Sequence, residues 1–413
     1  MAELDLMEKI VSLCKRRGFV YQGSEIYGGL AGTWDYGPLG VALKNNIKNI
    51  WWNMFVDGRD DMYGIDAAII MNPKAWEASG HVAGFADPMA DGAMFNTMFE
   101  TSVGAGEEAT VAYLRPETAG GIFVNFKNIV DSFHPKLPFG IGQIGKAFRN
   151  EIAPREFIFR VRELEQMEIE YFIRPEEWEE AFEQWRGAVH AFNKAIGIPE
   201  KRVHELEVPD GERAHYSKRT IDFEFDFPFG RRELYGLAYR TDFDLSAHEK
   251  ASTVELKYQD PETNEKLTPH VIEPSFGVDR TFLAVLASAY AEDEQNGEKR
   301  VYLKLKPSIA PIKAAVFPLL KNKPELVERA REIYTDLKKD IPQIMWDDNG
   351  NVGKRYRRQD EIGTPYCVTI DFDTLGETPE MLDTVTVRDR DSGEQERVAV
   401  AELSAYLQNR IRV

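Results

Sequence analysis

The chain has 413 residues, which is enough for two or three domains that each bury a core. Its hydrophobic content of 43% and charged content of 29% are typical of a globular protein, and no apolar run approaches the ~20 residues that span a bilayer. The formal net charge of -18 argues against broad non-specific affinity for nucleic acid, so any such partner must be met by local basic patches.

The cysteine content and the first residues bear on metal binding and location. Cys14 and Cys367 lie far apart, so neither a disulfide framework nor a cysteine zinc site is expected. The opening Met-Ala-Glu-Leu-Asp lacks a basic, apolar signal sequence. The sequence therefore predicts a cytoplasmic protein with no membrane partner.

The first 73 residues are predicted to form two helices and a strand. Apolar residues at helical spacing predict a helix over 1–18, and a turn-rich segment over 24–40 follows. Pro38 begins a second helix with one apolar stripe, and a strand over 62–71 closes at Asn72-Pro73. The stripe alone is compatible with an ordinary helix packed on its own sheet.

The stretch 148–172 carries the densest pattern of charges. An apolar strand is predicted to end in Arg149-Asn150-Glu151, with both charges on one strand face, and Pro154 marks the loop that follows. From Ile158 to Phe172 the residues alternate between two faces. One of these faces carries Arg160, Arg162, Leu164, Gln166, Glu168 and Glu170.

A strand face with cations at one end and carboxylates at the other suits a ligand with phosphates at one end and an ammonium at the other. ATP together with an amino acid is such a ligand. At about 3.3 Å per residue, Arg160 and Glu168 would lie roughly 26 Å apart, which is long enough to hold both in line. A solvated hairpin with its charges facing water explains this stretch equally well on its own.

The rest of the chain alternates between helices and strands. A helix with an apolar stripe is predicted over 175–196, and a strand is predicted to end at 273–275, before a helix that begins at Asp279-Arg280. His215 has no paired nucleophile or ligand spacing, which favours a structural or surface role. A charged linker over 291–300 leads to alternating strands and helices from residue 311, which predict an α/β domain of about 100 residues.

Three motifs, in this order, resemble the signature motifs of class II aminoacyl-tRNA synthetases. They are Asn72-Pro73 after a long helix and a strand, Phe148-Arg149-Asn150-Glu151 before an arginine-bearing strand, and Gly277 followed by Arg280. The turn-rich entry segment and Arg115-Pro116-Glu117-Thr118 are most similar to glycyl-tRNA synthetases of the dimeric type, in class IIa. Nearly the whole chain takes part in the resemblance.

The resemblance implies a fold and a set of boundaries. It implies an α+β catalytic domain over 1–306 on a mixed, mainly antiparallel sheet, followed by an α/β anticodon-binding domain over 307–413. The family's insertion would be shortened to a connector at about 91–110, and the first motif implies a homodimer. A basic, aromatic-containing loop over 353–363 would suit unstacked anticodon bases, although such a run is also typical of a solvated surface.

The resemblance also implies ATP-dependent ligation of glycine to tRNA(Gly) through a glycyl-adenylate, with Mg²⁺ accompanying ATP and with neither zinc nor an editing domain. The catalytic residues would be Arg149, Glu151 and Arg280. ATP would be bound by Arg149, Asn150, Glu151, Phe159, Arg160, Leu164, Glu233, Leu234, Gly277 and Arg280. Glycine would be bound by Glu117, Gln166, Glu168, Glu273 and Ser275. Glu233 could hold Mg²⁺ on the phosphates.

The chain departs from the family pattern at several places besides the connector. Gly120 stands where Gln is usual, Leu164 stands where relatives place a phenylalanine that stacks on adenine, and Arg231 or Arg232 stands where Trp is common. One alternative is an accessory protein that binds nucleic acid with a catalytically reduced synthetase fold, and another is a ligase that charges a carrier protein. The retained acidic and arginine residues argue against the first alternative, and the C-terminal domain argues against the second.

Overall fold

A computed structural model describes residues 2–89, 92–214, 216–295 and 297–412. The chain divides into two compact units. The larger unit consists of Gln22–Trp34 and Lys48–Ala284, and the smaller unit consists of Met1–Tyr21, Asp35–Ile47 and Val285–Val413. The domain border after residue 306 stays a prediction. No helix within the described ranges is both long and apolar enough to cross a membrane.

The beginning of the chain forms the predicted helices. Its elements are α1 (Ala2–Arg17), β1 (Val20–Gln22), β2 (Trp34–Tyr36), α2 (Pro38–Trp52) with a π-helical turn at Asn53–Asp57, and β3 (Met62–Gly64). The predicted strand over 62–71 is wrong in length, because the ladder ends at Gly64. Three residues later the carbonyl of Ala67 accepts a hydrogen bond from Arg115 Nη1 at 2.7 Å, so it is not available to a neighbouring strand.

The elements between residues 73 and 133 surround the predicted connector. They are α3 (Pro73–Ala78), α4 (His81–Gly84), β4 (Ala86–Pro88), β5 (Met94–Asn96), β6 (Phe99–Val103), β7 (Thr110–Leu114) and α5 (Ala119–Phe133). The short segment predicted over 91–110 includes most of an antiparallel hairpin in which β6 pairs with β7. The alternation of larger side chains in both strands was obscured by the glycine and alanine content. Asp91, the first residue of that prediction, lies outside the described residues.

The central sheet of the larger unit is mixed and mainly antiparallel, as predicted. Between residues 139 and 289 the chain forms, in order, β8 (Phe139–Phe148), β9 (Glu163–Ile173), α6 (Trp178–Ala195), β10 (Val203–Glu207), β11 (Arg219–Phe227), β12 (Gly230–Thr241), α7 (Phe243–Ser252), β13 (Tyr258–Gln259), β14 (Lys266–Leu267), β15 (His270–Gly277) and α8 (Val278–Ala289). Within the described residues, seven strands follow the order β10-β11-β12-β15-β9-β8-β3. β3 and β8 are parallel, and the other neighbours are antiparallel.

Alternation along β9 separates the two faces of the sheet. Tyr171 faces α6, where its ring centroid lies 5.4 Å from that of Trp185. Phe172 faces the opposite way and packs 4.7 Å from Phe126 of α5. Leu164, Gln166, Glu168 and Glu170 therefore share the α5 side of the sheet with Phe172.

Two predictions about the ends of β8 and β9 are wrong. β8 ends at Phe148, so Arg149 and Glu151 do not share a strand face; the N–H of Asn150 donates instead to the carbonyl of Thr97 at 2.7 Å. β9 begins at Glu163 rather than at Ile158. The residues before it form a turn instead, in which Glu156 and Phe157 adopt φ of 59° and 57° and the N–H of Phe159 donates to the carbonyl of Glu156 at 3.0 Å.

The predicted strand end at 273–275 is also wrong, because β15 continues to Gly277. Pro274 has no N–H to donate, yet the strand passes through it. The ladder with β9 is interrupted there, running from Ile272↔Tyr171 to Ser275↔Glu168, while Pro274 remains opposite Leu237 of β12. The interruption lies beside the carboxylates described below.

The C-terminal part of the smaller unit is an α/β fold, as predicted. It contains β16 (Tyr290–Gln295), β17 (Glu298–Leu303), β18 (Ala314–Pro318), α9 (Pro324–Asp340), β19 (Ile344–Trp346), α10 (Val352–Glu361), β20 (Tyr366–Ile370), β21 (Thr384–Asp389), β22 (Gln395–Ala399) and α11 (Leu403–Ile411). Its sheet has the order β19-β18-β20-β21-β22. Alternate residues of β18 pack on opposite faces, Val316 with α9 and α11 and Phe317 with α10.

Two predictions for this unit are wrong. The charged linker over 291–300 is the hairpin β16–β17, because the buried Arg300 binds Asp293 at 2.8 Å and Asp360 at 3.2 Å and so neutralises the charges internally. The basic loop over 353–363 is mostly the helix α10. Its first turn is capped by the side chain of Asn351, which accepts the Lys354 N–H at 2.9 Å.

Candidate active site

Three adjoining cavities lie along the α5 side of β9 in the larger unit. Their volumes are about 150, 610 and 290 Å³, and Arg149 and Glu233 line all three. Leu164 and Gln166 line the first cavity, and Gln166 and Glu168 line the third. The cavities therefore follow the strand face predicted to hold a ligand.

Most of the predicted site residues meet in these cavities. The 150 Å³ cavity is lined by the predicted residues Arg149, Glu151, Phe159, Arg160, Leu164, Gln166, Glu233, Leu234, Ser275, Gly277 and Arg280. The 290 Å³ cavity is lined by the predicted residues Glu117, Gln166, Glu168, Glu273 and Ser275. Asn150 lines none of the three.

Arg149 lies just beyond the end of β8, between the two ends of the site. Its Nε donates to the carbonyl of Pro116 at 3.0 Å, and its guanidinium lies 5.4 Å from the ring centroid of Phe85. Among the described residues no carboxylate forms an ion pair with it. The arginine is therefore held in place while its charge stays available to an anionic ligand.

The basic end of the site is assembled from several elements. Arg280, in the first turn of α8, binds Glu233 Oε2 at 3.0 Å, and its guanidinium lies 4.5 Å above the ring of Phe159. The charge of Arg280 holds the pKa of Glu233 below its usual range. Arg160 Nε lies 2.5 Å from Glu151 Oε2, so the two residues pair with each other.

The predicted row of cations on β9 is thus wrong. Arg160 and Arg162 precede the strand, and Arg162 donates to the carbonyls of Ala31 at 2.5 Å and Glu151 at 3.0 Å. Its guanidinium holds the loop together. The cations come instead from the loop after β8, the turn before β9 and the start of α8.

Glu168 is the centre of the acidic end. Its Oε2 accepts from the backbone N–H of Thr118 at 3.1 Å and from the Thr118 hydroxyl at 2.5 Å, and its Oε1 accepts from the Ser275 hydroxyl at 2.7 Å. Burial raises the pKa of Glu168, and the charge of Glu117 raises it further. The hydrogen bonds from Thr118 and Ser275 act in the opposite direction and fix the carboxylate in place.

Glu117 is the ionised partner of this pair. Burial alone would raise its pKa, but the contact with His81 and the charges of Arg240 and Arg149 outweigh that effect and lower it to about 2. His81 Nε2 lies 3.3 Å from Glu117 Oε2. Glu117, whose pKa is lowered, therefore lies beside Glu168, whose pKa is raised.

Arg240 is a functional residue that the sequence analysis missed. It is 1% exposed and binds Asp244 through two hydrogen bonds of 2.8 and 2.7 Å and Glu273 through a third of 2.8 Å. Burial raises the pKa of Glu273 to about 8 in spite of this arginine. Within the sequence, the only signal was an arginine on a strand followed four residues later by an aspartate.

Glu170 lies below Glu168 on the same strand face and is fully buried. Neither of its carboxylate oxygens has a hydrogen-bond partner among the described residues. Burial and the charge of Glu273 raise its pKa well above the usual range. Burial without a hydrogen-bond partner therefore favours the neutral form of Glu170.

Two of the departures from the family pattern have structural counterparts. A Cβ on Gly120 would lie 2.8 Å from two ring atoms of Trp76, so the indole occupies the space of a larger side chain. Arg231 pairs with Asp226 at 3.0 Å, whereas Arg232 is exposed and lines the 610 Å³ cavity. His215 lies outside the described residues, and no cluster of three or more metal-ligating side chains occurs within them.

The antiparallel sheet, the arginine after β8, the arginine at the start of α8 and the acidic pocket between them define a class II aminoacyl-tRNA synthetase. The model of the tRNA synthetase class II core domain (G, H, P, S and T) matches residues 101–289, and the anticodon binding domain model matches residues 313–410.

Full-length relatives make the assignment narrower. The chain is 45% identical to a glycine–tRNA ligase of Deinococcus radiodurans and 45% identical to one of Thermus thermophilus, each over 98% of this chain and 99% of the relative. It is 46% identical to a glycine–tRNA ligase of Alkaliphilus oremlandii over 100% of both chains. The chain belongs to the glycine–tRNA ligase family, as its motifs predicted.

Proposed function

We propose that the protein ligates glycine to tRNA(Gly) in two steps. The glycine carboxylate attacks the α-phosphate of ATP and expels pyrophosphate, and a terminal ribose hydroxyl of the tRNA then attacks the glycyl carbonyl and releases AMP. The observation that carries this proposal is Arg149, an arginine with a free charge between a basic end and an acidic end of one continuous site.

The first step requires positioning and charge neutralisation more than acid or base chemistry. Arg149 would contact both the glycine carboxylate and the α-phosphate, and Arg280 would neutralise the outer phosphates. Glu151 uses one oxygen to bind Arg160, which leaves the other to accept from the adenine amino group. Asn150 has no such support from the cavity lining and stays a prediction.

Mg²⁺ would enter with ATP as part of the substrate. Glu233 is half exposed at the cavities, and it lies opposite Glu224 in the pairing of β11 with β12. One or two carboxylates together with phosphate oxygens are a usual ligand set for Mg²⁺. Glu233 would exchange its ion pair with Arg280 for the metal when the phosphates arrive.

Glycine would be held by its ammonium against Glu117 and Glu168, with Ser275 fixing the second carboxylate. The buried Glu273 closes the same pocket and is itself held by Arg240. Glycine is the smallest amino acid, so every competitor must overpack a wall whose side chains are fixed by hydrogen bonds. Such a pocket needs no second site for editing.

The smaller unit offers a basic groove for tRNA. A cavity of about 890 Å³ is lined by Arg17, Lys354, Arg357, Arg358 and Arg388, and these cations outnumber the two lining carboxylates, Glu298 and Asp360. Cations beside an aromatic side chain, here Tyr356, suit the phosphates and unstacked bases of a single-stranded loop. This groove favours a tRNA substrate over a carrier protein.

A homodimer is part of the proposal. Ile26, Tyr27 and Leu30 are 90%, 87% and 58% exposed within one turn-rich segment of the larger unit. Exposed apolar residues that are contiguous in this way are typical of a protein interface. Sedimentation of the protein and of an Ile26→Ser/Tyr27→Ser variant would test it, since the proposal predicts a dimer that the variant weakens. The cytoplasmic location stays a prediction.

Charging of tRNA with labelled glycine tests the overall reaction. Wild-type protein should form glycyl-tRNA, and Arg149→Gln should lose it without losing its fold. The matched control is Arg186→Gln, since Arg186 lies on α6, pairs with Glu183 and Glu205, and lines none of the three cavities. A protein that bound tRNA tightly but charged none would favour the non-catalytic accessory role.

A further inference from the structure

Glu117 is a carboxylate whose position the substrate alone does not explain. It is buried in the acidic end of the site, beside Glu168, where a second negative charge is unfavourable. Arg240 is already bound by Asp244 and Glu273, and Arg149 donates to the carbonyl of Pro116. Among the described residues neither arginine forms an ion pair with Glu117, so another group has to fix the direction of its carboxylate.

His81 is in place to do so. It is the first residue of α4, it is 9% exposed, and its Nε2 lies 3.3 Å from Glu117 Oε2. Among the described residues this is the only ion-pair contact made by Glu117. A contact of this length is compatible with a hydrogen bond that tightens when the substrate binds.

The other ring nitrogen of His81 is fixed as well. Its Nδ1 lies 2.8 Å from the hydroxyl of Ser79, which is itself buried. An ionised carboxylate can only accept, so Nε2 carries the hydrogen that faces Glu117. Trp76 and Phe85 pack on the ring, each with a centroid distance of 5.3 Å, and set its plane.

We propose that His81 is a positioning residue for glycine: with the Ser79 hydroxyl at its Nδ1, it orients the Glu117 carboxylate toward the substrate ammonium. The inference rests on the proposed function, because it assigns His81 a role through a carboxylate that binds glycine. His81 itself lines none of the three cavities, so it would act through Glu117 rather than on the substrate directly. His81 would bind the carboxylate of Glu117 from behind and so fix the orientation of a side chain that binds the ligand.

Two substitutions of His81 separate this role from packing. The amide nitrogen of glutamine reaches about as far as Nε2, and that of asparagine reaches about as far as Nδ1. His81→Gln can still donate to Glu117. His81→Asn keeps the contact with the Ser79 hydroxyl but loses the donor to Glu117. Both variants remove the same ring contacts with Trp76 and Phe85.

The experiment measures KM for glycine and for ATP in pyrophosphate exchange, with thermal unfolding of each variant. His81→Asn should raise KM for glycine by about tenfold or more, the loss expected for one charge-assisted contact, and leave KM for ATP within about twofold. His81→Gln should recover most of the glycine affinity. Glu117→Gln should weaken glycine binding by itself, and adding His81→Asn to it should cause little further change.

The outcomes distinguish the positioning role of His81 from the proposed glycine site itself. Equal effects of His81→Asn and His81→Gln, or equal effects on glycine and ATP, would show that the ring matters only for packing and would overturn the inference. Loss of glycine affinity in Glu117→Gln together with wild-type behaviour of His81→Asn would overturn it as well. Unchanged glycine affinity in Glu117→Gln would instead overturn the proposed glycine site.

Discussion

The substitution Glu168→Gln tests the acidic end of the site most selectively. Glu168 is 2% exposed, and its two oxygens accept from the Thr118 N–H, the Thr118 hydroxyl and the Ser275 hydroxyl. A carboxamide has nearly the same shape, but it carries no charge and places an NH₂ group against one of these donors. The hydroxyls can rotate to accept, whereas the backbone N–H cannot.

The expected magnitude follows from the contact that is lost. A charge-assisted contact between the glycine ammonium and the carboxylate is worth roughly 1.5–3 kcal/mol, which corresponds to roughly ten- to a hundredfold weaker glycine binding. ATP binding should change little, because Leu164, Arg149 and Arg280 line the 150 Å³ cavity and Glu168 does not.

The assay is an equilibrium titration of the variant with glycine and, separately, with ATP. Thermal unfolding of both proteins provides the control for folding. Ser275→Ala is the matched variant, since it removes one donor to Glu168 and keeps the charge, so it should weaken glycine binding by a smaller factor. Equal losses of glycine and ATP affinity in Glu168→Gln would refute the assignment of Glu168 to the ammonium.

Four further predictions follow from the structure. Leu164→Phe should tighten ATP binding by about 1 kcal/mol in a titration, because an aromatic face can stack on adenine. Gly120→Ala should destabilise the protein by about 1–3 kcal/mol in denaturant unfolding, because its Cβ would overlap the indole of Trp76. The control is Gly187→Ala, which should stabilise the protein by roughly 0.5–1 kcal/mol, because Gly187 lies on the exposed face of α6 with open space around it. Glu170→Gln should stabilise the protein at pH 7 and have little effect near pH 4. Folding raises the pKa of the Glu170 carboxyl group. The free energy of unfolding of the wild type therefore falls as pH rises above the pKa of an ordinary glutamate, by up to about 1.4 kcal/mol per pH unit. The carboxamide variant has no such group and does not lose this stability. The short segment over 91–110 replaces the family's insertion, so possible contacts to tRNA phosphates are lost. We therefore expect robust pyrophosphate exchange but weak tRNA charging that falls strongly over a salt series.

Each of these has a contrary result. An unchanged or weaker ATP affinity in folded Leu164→Phe would show that another group already packs on the base. Stabilisation by Gly120→Ala would mean that the indole has room to move. Destabilisation by Glu170→Gln at pH 7 would mean that a cation holds Glu170 ionised. Charging as efficient as that of a relative with the insertion, at matched exchange activity, would show that the remaining surface suffices.

The sequence allowed much of the fold to be predicted. The helices α1, α2 and α6 were predictable because each has an apolar stripe and a proline or glycine near an end. The two motif arginines, Arg149 and Arg280, were placed by their resemblance to a family and meet in one cavity. The alternation of β9 was read correctly from Leu164 to Phe172.

The errors arose where a single residue or a long-range contact decides the structure. The linker over 291–300 looked solvated, because its charges are paired by Arg300 with Asp360, which lies 60 residues away in the sequence. Pro274 suggested a strand end, although a strand can pass a proline where one ladder is interrupted. The roles of Arg240 and His81 depend on Glu273 and Glu117, which lie far from them in the sequence.

Pyrophosphate exchange into ATP, screened separately with each of the twenty amino acids, tests the central claim most directly. The site predicts that glycine alone supports exchange, because the ammonium is bound by Glu117 and Glu168 and larger side chains overpack the pocket. Arg149→Gln should abolish the exchange, and Arg186→Gln should retain it. Exchange with another amino acid at a rate equal to that with glycine, or no exchange with any of them by folded protein, would contradict the account.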